Sequence, residues 1–107
     1  MILVDKIRRS IPNGHWPYIS SCHLFCDSEG DLGRLLKVAV LLGLKISWLQ
    51  KEYEFPHFDL VKSKRDLALK LGADNADDEK VCECVRYWER LKDERKRAYA
   101  ASKASNK

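Results

Sequence analysis

A long apolar run is missing from this sequence of 107 residues. The longest one extends from Leu35 to Leu44 and is interrupted by Lys37 and Gly43, whereas a helix that spans a bilayer needs about 20 apolar residues. At the N-terminus the charges follow a short apolar stretch, which is the reverse of the order in a secretory signal. The sequence therefore predicts a cytoplasmic protein that makes no contact with a membrane.

Glycine-rich loops and the common catalytic motifs are missing as well. The five glycines are scattered, so there is neither a P-loop nor the dinucleotide-binding pattern GxGxxG. The zinc-protease pattern HExxH and the hydrolase pattern GxSxG are also lacking. Accordingly, the sequence predicts no cofactor.

The four cysteines lack the spacing of a structural zinc site. Three residues separate Cys22 from Cys26 and one separates Cys82 from Cys84, whereas zinc knuckles usually have CxxC spacing. On a helix, Cys82 and Cys84 would point about 200° apart, because each residue turns the helix by about 100°. Reduced structural thiols are predicted, with zinc binding as the minority alternative.

Positive charge is concentrated at the C-terminal end. The net charge is +4, and residues 92–107 hold six basic and two acidic side chains, so residues 1–91 sum to zero. A neutral body argues against a basic nucleic-acid-binding surface, but the basic tail is able to contact nucleic acid or an acidic partner. We favour the simpler alternative, a solvated helix end whose cations suit the helix dipole.

Hydrophobic periodicity predicts one small α/β domain. Strands are expected at residues 2–4, 19–26, 45–50 and 57–61. Helices are expected between Ser28 and Gly43, between Ser63 and Gly72, and from about Asp78 to Ala100. The order β-β-α-β-β-α-α gives a mixed sheet of about four strands covered by helices, with a right-handed crossover between parallel strands over residues 22–50.

The domain organisation follows from this element order. Residues 1–76 are expected to form a compact α/β domain, residues 77–100 a helix that packs on it, and residues 101–107 a frayed basic tail. Ser28 and Ser63 each precede an aspartate by three residues, a spacing that predicts a side-chain cap at a helix start. Residues 10–18, SIPNGHWPY, form a loop, whose aromatic residues either line a ligand site or cap the core.

Residues 57–66, HFDLVKSKRD, carry the densest polar chemistry. A helix that begins at Ser63 would offer free N–H groups to an anion. Lys64 and Arg65 in its first turn oppose the helix dipole, at a cost of about 0.3–1 kcal/mol each, which a bound anion would offset. The alternative is that Asp66 compensates and both cations reach solvent.

Four polar residues are expected to converge if their strands are neighbours. His57 and Asp59 share one strand face, His23 lies in the second strand, and Asp5 ends the first. Such a group binds a metal, acts as an acid–base pair or hydrogen-bonds a polar ligand. Each residue taken alone is more often structural, and the convergence at strand ends and a helix start favours a ligand site.

Several segments, taken in order, resemble a known family. ILVD, CHL leading to CDSEGDL, GLKISWLQ, PHFDL and SKRDLALKLGA are similar to the small bacterial and phage proteins grouped as domain of unknown function 4031. The resemblance covers residues 2–73 and implies no activity. It implies a shared polar site at Asp5, His23, Asp27, Trp48, Gln50, His57, Asp59, Ser63, Lys64 and Arg65. The proline-containing loop and Phe58, which is often Tyr in the family, depart from the pattern.

Our first functional hypothesis is a small binding protein for a phosphate-bearing or other anionic ligand, such as a nucleotide. Ser63, Lys64 and Arg65 would hold the anion, and Trp48 would stack on the ligand. The remaining site residues would contact its polar part: Asp5, His23, Gln50, His57 and Asp59. Phage members of the family favour a role directed at a host pathway.

Two alternatives remain open. The second hypothesis is a metal-dependent or His/Asp hydrolase, either a phosphodiesterase or a nuclease, in which Asp5, His23, His57 and Asp59 would bind a divalent metal or act as acid and base. His23, His57 and Asp59 are its catalytic candidates. The first hypothesis assigns no metal ligand. The third hypothesis is an interaction module, in which the last helix docks on a protein partner or forms a homodimer.

Overall fold

The computed structural model describes residues 1–14, 16–51 and 55–105, with side chains through residue 103. Within that part of the chain, five strands and three α-helices form an α/β fold with a mixed sheet and a long C-terminal helix, as predicted. The elements are β1 (Ile2–Val4), β2 (Arg8–Arg9), β3 (Ser20–Cys26), α1 (Leu32–Leu41), β4 (His57–Leu60), α2 (Lys62–Lys70), β5 (Asp74–Asn75) and α3 (Asp78–Ser105).

Strand β3 organises the sheet. It pairs antiparallel with β1, where Leu3 stands opposite Phe25, and antiparallel with β4, where His23 stands opposite Asp59. Strand β5 pairs with β1 in parallel and makes the sheet mixed. The predicted crossover between parallel strands over residues 22–50 is wrong, because residues 45–50 form no strand beside β3. Of these residues only Gln50 pairs, and its partner is His57 of β4.

A one-residue irregularity separates β1 from β2. Val4 pairs with Leu24 and Arg8 pairs with Ser21. Three residues, 5–7, therefore lie opposite only two residues of β3, 22 and 23, which is the residue count of a β-bulge. Bulges redirect side chains, and here the extra residue follows Asp5.

The strand predicted at residues 45–50 is wrong. Ile46–Trp48 forms a short 3₁₀ turn, and only Gln50 pairs with β4, through a two-way backbone bridge to His57. The physical reason is that burial does not follow the alternating pattern of the sequence. Ile46 and Trp48, which a half-buried strand would place on one covered face, are each 52% exposed.

The core lies between the sheet and the helices. Along β3, Cys22, Leu24 and Cys26 are buried on one face, and both α1 and α2 contact this strand. From the helices, Leu35, Ala39, Ala68 and Trp88 are buried. Val40 and Leu41 of α1 are exposed, so this helix is covered on fewer sides than its apolar sequence suggests.

The helix ends agree with the sequence in part. The predicted stops at Gly43 and Gly72 are confirmed, since both glycines have positive φ values, 81° and 103°, which L-residues avoid. The predicted side-chain caps are wrong, because α2 begins at Lys62, ahead of Ser63, and the described side chains cap neither α1 nor α2. Ser28 Oγ donates to the Asp31 carboxylate instead.

Helix α3 is longer than predicted and docks through one indole. It continues to Ser105, five residues beyond the predicted end. The Trp88 ring is buried and its Nε1 donates to the Cys26 carbonyl oxygen at 3.1 Å, which fixes the helix against the end of β3. Over the described residues, no helix combines the length and the apolar character needed to cross a membrane.

Candidate metal site

The register between β3 and β4 brings two histidines and an aspartate together. His23 stands opposite Asp59, and His57 precedes Asp59 by two residues, so the three side chains leave the same face of the sheet. A potential ligand atom from each lies within 4.8 Å of the other two. These are the three residues that the sequence offered as catalytic candidates.

Asp5 fixes the orientation of the His23 ring. Its side chain is only 2% exposed, and its Oδ1 accepts the His23 backbone N–H at 2.6 Å. Its Oδ2 lies 2.7 Å from His23 Nδ1. An ionised carboxylate only accepts hydrogen bonds, so the Nδ1 atom carries the proton. The Nε2 atom of the same ring lies 3.8 Å from Asp59 Oδ1.

A backbone carbonyl fixes the ring of His57 in the same sense. The Nδ1 atom of His57 donates to the Phe55 carbonyl oxygen at 2.8 Å, which assigns the proton to Nδ1 because a carbonyl cannot donate. The Nε2 atom lies 3.8 Å from Asp59 Oδ1. The two imidazoles meet edge to face with their centroids 4.8 Å apart.

Asp59 occupies the point where the two rings converge. Its Oδ2 accepts a hydrogen bond from Gln50 Nε2, and its Oδ1 faces both Nε2 atoms. The bridge between Gln50 and His57 holds this amide beside β4. One carboxylate oxygen is therefore anchored while the other is directed into the cluster.

The two histidines have opposite pKa shifts. The hydrogen bond that His23 donates to Asp5 raises the pKa of His23, against the effect of burial, and so favours the charged ring over the neutral form that ligates a metal. Burial lowers the pKa of His57 and keeps its ring neutral. For Asp5, burial would raise the pKa, but the side-chain and backbone hydrogen bonds from His23 outweigh burial and lower it. A neutral imidazole is the form that ligates a metal, and His57 is held in that form.

The three side chains suit a divalent transition metal. Two imidazole nitrogens and one carboxylate oxygen form a ligand set of catalytic zinc sites and of non-haem iron sites. A tetrahedral zinc ion with bonds of about 2.0–2.1 Å separates its ligands by about 3.4 Å. The separations of 3.8 Å from Asp59 Oδ1 to each Nε2 are wider than this, and the three ligand atoms lie within 4.8 Å of one another, so the side chains would have to move closer together to complete the site.

The other predicted site residues lie beside the cluster of His23, His57 and Asp59 or outside it. Trp48, Gln50 and Lys64 line a groove that also reaches Asp59. Arg65 donates to the Asp5 carbonyl oxygen and to Asn75, and Ser63 is exposed on α2.

Asp27, which the family resemblance placed in the polar site, lies beyond the cluster. Its carboxylate is 3.3 Å from Lys80 Nζ, which connects the end of β3 to α3.

Sequence reasoning missed the Phe55 carbonyl as a partner of His57. A backbone oxygen has no residue-type signature, so no pattern in the sequence identifies it. The Phe55 ring packs at 5.0 Å from Phe25 and at 5.9 Å from His23, measured between centroids. This packing places the carbonyl next to the imidazole.

The cysteines stand apart from this cluster. Burial raises the pKa of Cys22 to about 12 and that of Cys26 to about 11, so both remain protonated near neutral pH, whereas zinc binds the thiolate. On α3, Cys82 is exposed and Cys84 is buried. All four are free thiols, as predicted.

Comparison with known families completes the description of the site. A family model described as "Protein of unknown function (DUF4031)" matches residues 2–87. The chain belongs to the DUF4031 family. The match extends beyond the predicted residues 2–73 and includes the first part of α3 with Tyr87. No curated protein and no solved structure matches the chain. For this DUF4031 member, the function has to be inferred from the geometry of the site.

Proposed function

We propose that this protein is a metal-dependent hydrolase whose divalent ion is held by His23, His57 and Asp59. The orientation of both imidazoles carries the proposal, since each Nδ1 faces an oxygen acceptor while each Nε2 lies 3.8 Å from Asp59 Oδ1. Histidines that bind metals nearly always donate their other N–H to a carboxylate or a carbonyl. Here Asp5 supplies the carboxylate and Phe55 the carbonyl.

The reaction class follows from the ligand set. Three protein ligands leave a further position on zinc for water, whose pKa falls to about 7 when it is bound. A zinc ion held by these three side chains would supply a nucleophilic water for attack on a carbonyl or phosphoryl centre near neutral pH. Asp5 would not touch the metal; it fixes the tautomer of the His23 ring through a hydrogen bond. Gln50 in the same way holds the second carboxylate oxygen of Asp59.

One observation favours a metal over an acid–base pair that works alone. Both Nε2 atoms are directed at the same carboxylate oxygen, a convergence that suits one shared cation. A general base and a general acid would instead be directed at different atoms of a substrate.

The anion-binding hypothesis has weaker support at the start of α2. Arg65 is engaged with the Asp5 backbone and Asn75, and Ser63 lies outside the groove-lining residues. Lys64 lines the groove and is still suited to an anion.

The decisive measurement is metal content together with hydrolysis. Protein dialysed against chelator is titrated with Zn²⁺ by calorimetry, and bis(p-nitrophenyl) phosphate serves as a generic ester substrate. We expect one zinc ion per chain, hydrolysis that EDTA abolishes, and loss of both in His23→Ala, His57→Ala and Asp59→Ala. Asp66→Asn is the matched control, because Asp66 is exposed and pairs with Lys62 on α2.

Two further controls separate the site from adventitious binding. Cys82 is exposed, so Cys82→Ser removes the thiol most able to capture zinc, and we expect it to leave the stoichiometry unchanged. Circular dichroism verifies that the alanine variants remain folded. A folded wild-type chain that binds zinc no more tightly than His57→Ala would overturn the proposal.

A further inference from the structure

A groove adjoins Asp59 on the outer side of β4. It has a volume of about 990 Å³, at the upper end of the range for small-molecule sites. Its walls come from the loop at residues 13–18 and from the 3₁₀ turn Ile46–Trp48, and Phe58 and Leu60 contribute from the sheet. Because Asp59 belongs to both the groove and the histidine cluster, a molecule bound in the groove lies beside the proposed metal.

Aromatic side chains form part of the walls of this groove. Trp48 and Tyr18 line it and are 52% and 51% exposed. Large rings that face water in a concave site mark a binding surface more often than a structural one. Trp16 also lines the groove, with its centroid 5.1 Å from that of Tyr18 in an edge-to-face arrangement.

Hydrogen bonds join residues across the loop that carries two of these rings. The Asn13 side-chain oxygen accepts the Trp16 backbone N–H at 2.9 Å, and the Asn13 N–H donates to the Trp16 carbonyl oxygen at 2.8 Å. At the base of the loop, Ser10 donates to the Tyr18 and Ile19 carbonyl oxygens. The backbones of Trp16 and Tyr18 are therefore held before a ligand arrives, which lowers the entropic cost of binding.

One donor in the wall lacks an acceptor. Among the described residues, the buried Nε1 atom of Trp16 has no hydrogen-bond partner. The atom is closed off from solvent in the ligand-free fold, and buried N–H groups are almost always satisfied, so we expect this indole to turn toward the groove and donate to an acceptor on the ligand. Nucleobases carry several such acceptors at their edges.

The charges in the groove select for an anion next to the aromatic wall. Among the described lining residues, the charged ones are Asp59 and Lys64. A divalent ion on Asp59 would reverse the negative sign there. Lys45 adds a further positive charge, with its Nζ 5.7 Å from the centre of the Trp48 ring.

We propose that the groove binds a small nucleotide, with the base against the aromatic wall and the phosphate between Lys64 and the metal. This inference rests on the proposed hydrolase. The bond cleaved is then the phosphoester. One water supplies its oxygen to phosphorus and a proton to the departing ester oxygen, which leaves a phosphate and an alcohol. The loop at residues 10–18, together with Lys64, determines the substrate class.

The test compares AMP, adenosine and ribose 5-phosphate by calorimetry, first on metal-free protein and then on zinc-loaded protein. We expect AMP to bind in both states and more tightly with zinc. Trp48→Ala should weaken AMP and adenosine about 5- to 150-fold, the range for loss of one stacked base, and leave ribose 5-phosphate unchanged. Lys64→Met should weaken AMP and ribose 5-phosphate and spare adenosine.

The matched controls change a lysine and an aromatic residue that do not line the groove. Lys62→Met removes an exposed lysine of α2 that pairs with Asp66, and Tyr99→Ala removes an exposed aromatic ring on α3. Neither change should alter AMP binding. Trp16→Phe, which removes the indole N–H and retains an aromatic ring, should weaken AMP and adenosine more than ribose 5-phosphate.

The outcomes separate this inference from the proposed function. Intact zinc-dependent hydrolysis of bis(p-nitrophenyl) phosphate with no binding of AMP or adenosine overturns the nucleotide inference and leaves the hydrolase. AMP binding that depends on Trp48 and Lys64 in a chain that binds no zinc overturns the hydrolase and leaves the groove as a nucleotide site. Binding of oligo(dT) without AMP overturns the inference in favour of single-stranded nucleic acid.

Discussion

Arg65 on α2 donates from Nε to the backbone carbonyl oxygen of Asp5 at 2.8 Å. Its Nη2 atom donates to Asn75 Oδ1 at 2.7 Å. One guanidinium thus connects the end of β1, helix α2 and strand β5. Because the backbone of Asp5 is held from this side and its carboxylate from the other by His23, Arg65 acts as a positioning residue for the candidate metal site.

Replacing Arg65 with methionine should destabilise the fold. The change removes two hydrogen bonds from a charged donor and leaves the Asp5 carbonyl oxygen without this partner, and we expect a loss of about 1–3 kcal/mol in the free energy of unfolding. Urea denaturation measures it. Arg34→Met is the control, because Arg34 is exposed and its nearest carboxylate contact, to Asp31, is long at 3.9 Å. Equal stability of the two variants would contradict this assignment.

Changing Asp5 to asparagine should weaken zinc binding about 10- to 100-fold. The amide oxygen of Asn still accepts the His23 backbone N–H, but its NH₂ group donates to Nδ1 and forces the ring proton onto Nε2. Competition with a chromophoric chelator measures the affinity, and ¹⁵N chemical shifts report the tautomer of His23. Asp66→Asn should change neither quantity. A shifted tautomer with unchanged affinity would exclude His23 as a ligand.

The exposed thiol should react before the buried ones. Burial raises the pKa of Cys22 to about 12 and that of Cys26 to about 11, so the reactive thiolate is scarce at pH 8 and increases only as the pH approaches these values. We expect Cys82, the exposed thiol, to react first with Ellman's reagent at pH 8. In guanidinium chloride all four should react together. Fast reaction of Cys22 in the folded chain would show that the sheet opens locally.

The far end of α3 should be dispensable for folding. The described side chains from Lys92 to Lys103 are exposed, and their contacts include the surface ion pair of Arg95 with Glu29. A chain that ends at Lys92 should keep its free energy of unfolding within about 1 kcal/mol. It should also keep the same number of chains per particle in light scattering. A full-length dimer that becomes a monomer on truncation would support the homodimer, and salt-sensitive loss of DNA binding would support a nucleic-acid partner.

Local periodicity explains which parts of the fold the sequence could predict. The strand at residues 57–60 and the stops at Gly43 and Gly72 follow from alternation and from the need for positive φ. Strands β2 and β5 were missed because two residues each carry no pattern. Their pairing is set by the neighbouring strand, and burial of their side chains contributes nothing, since all four residues are exposed.

The candidate site was also predictable in part. Alternation along one strand was enough to place His57 with Asp59, and adjacency of β3 and β4 then added His23. The direction of Arg65 was not predictable, because its partners are a backbone oxygen and an asparagine from a strand too short to recognise. The sequence places Arg65 at the start of a helix, but it does not show which partners its long, flexible side chain reaches.

The bulge after β1 makes the site depend on the number of residues between β1 and β2. Residues 5–7 lie opposite two residues of β3, and Lys6 in the middle is exposed. The Lys6 side chain contributes one surface ion pair, to Asp78, so a change of residue type at position 6 should cost little, whereas a change in the number of residues should disrupt the site. Deleting one would bring β2 into continuous register with β1 and remove the offset that follows Asp5, with every ligand of the proposed metal still present in the sequence. A homologue could keep all the site residues and lose the site through a single missing codon.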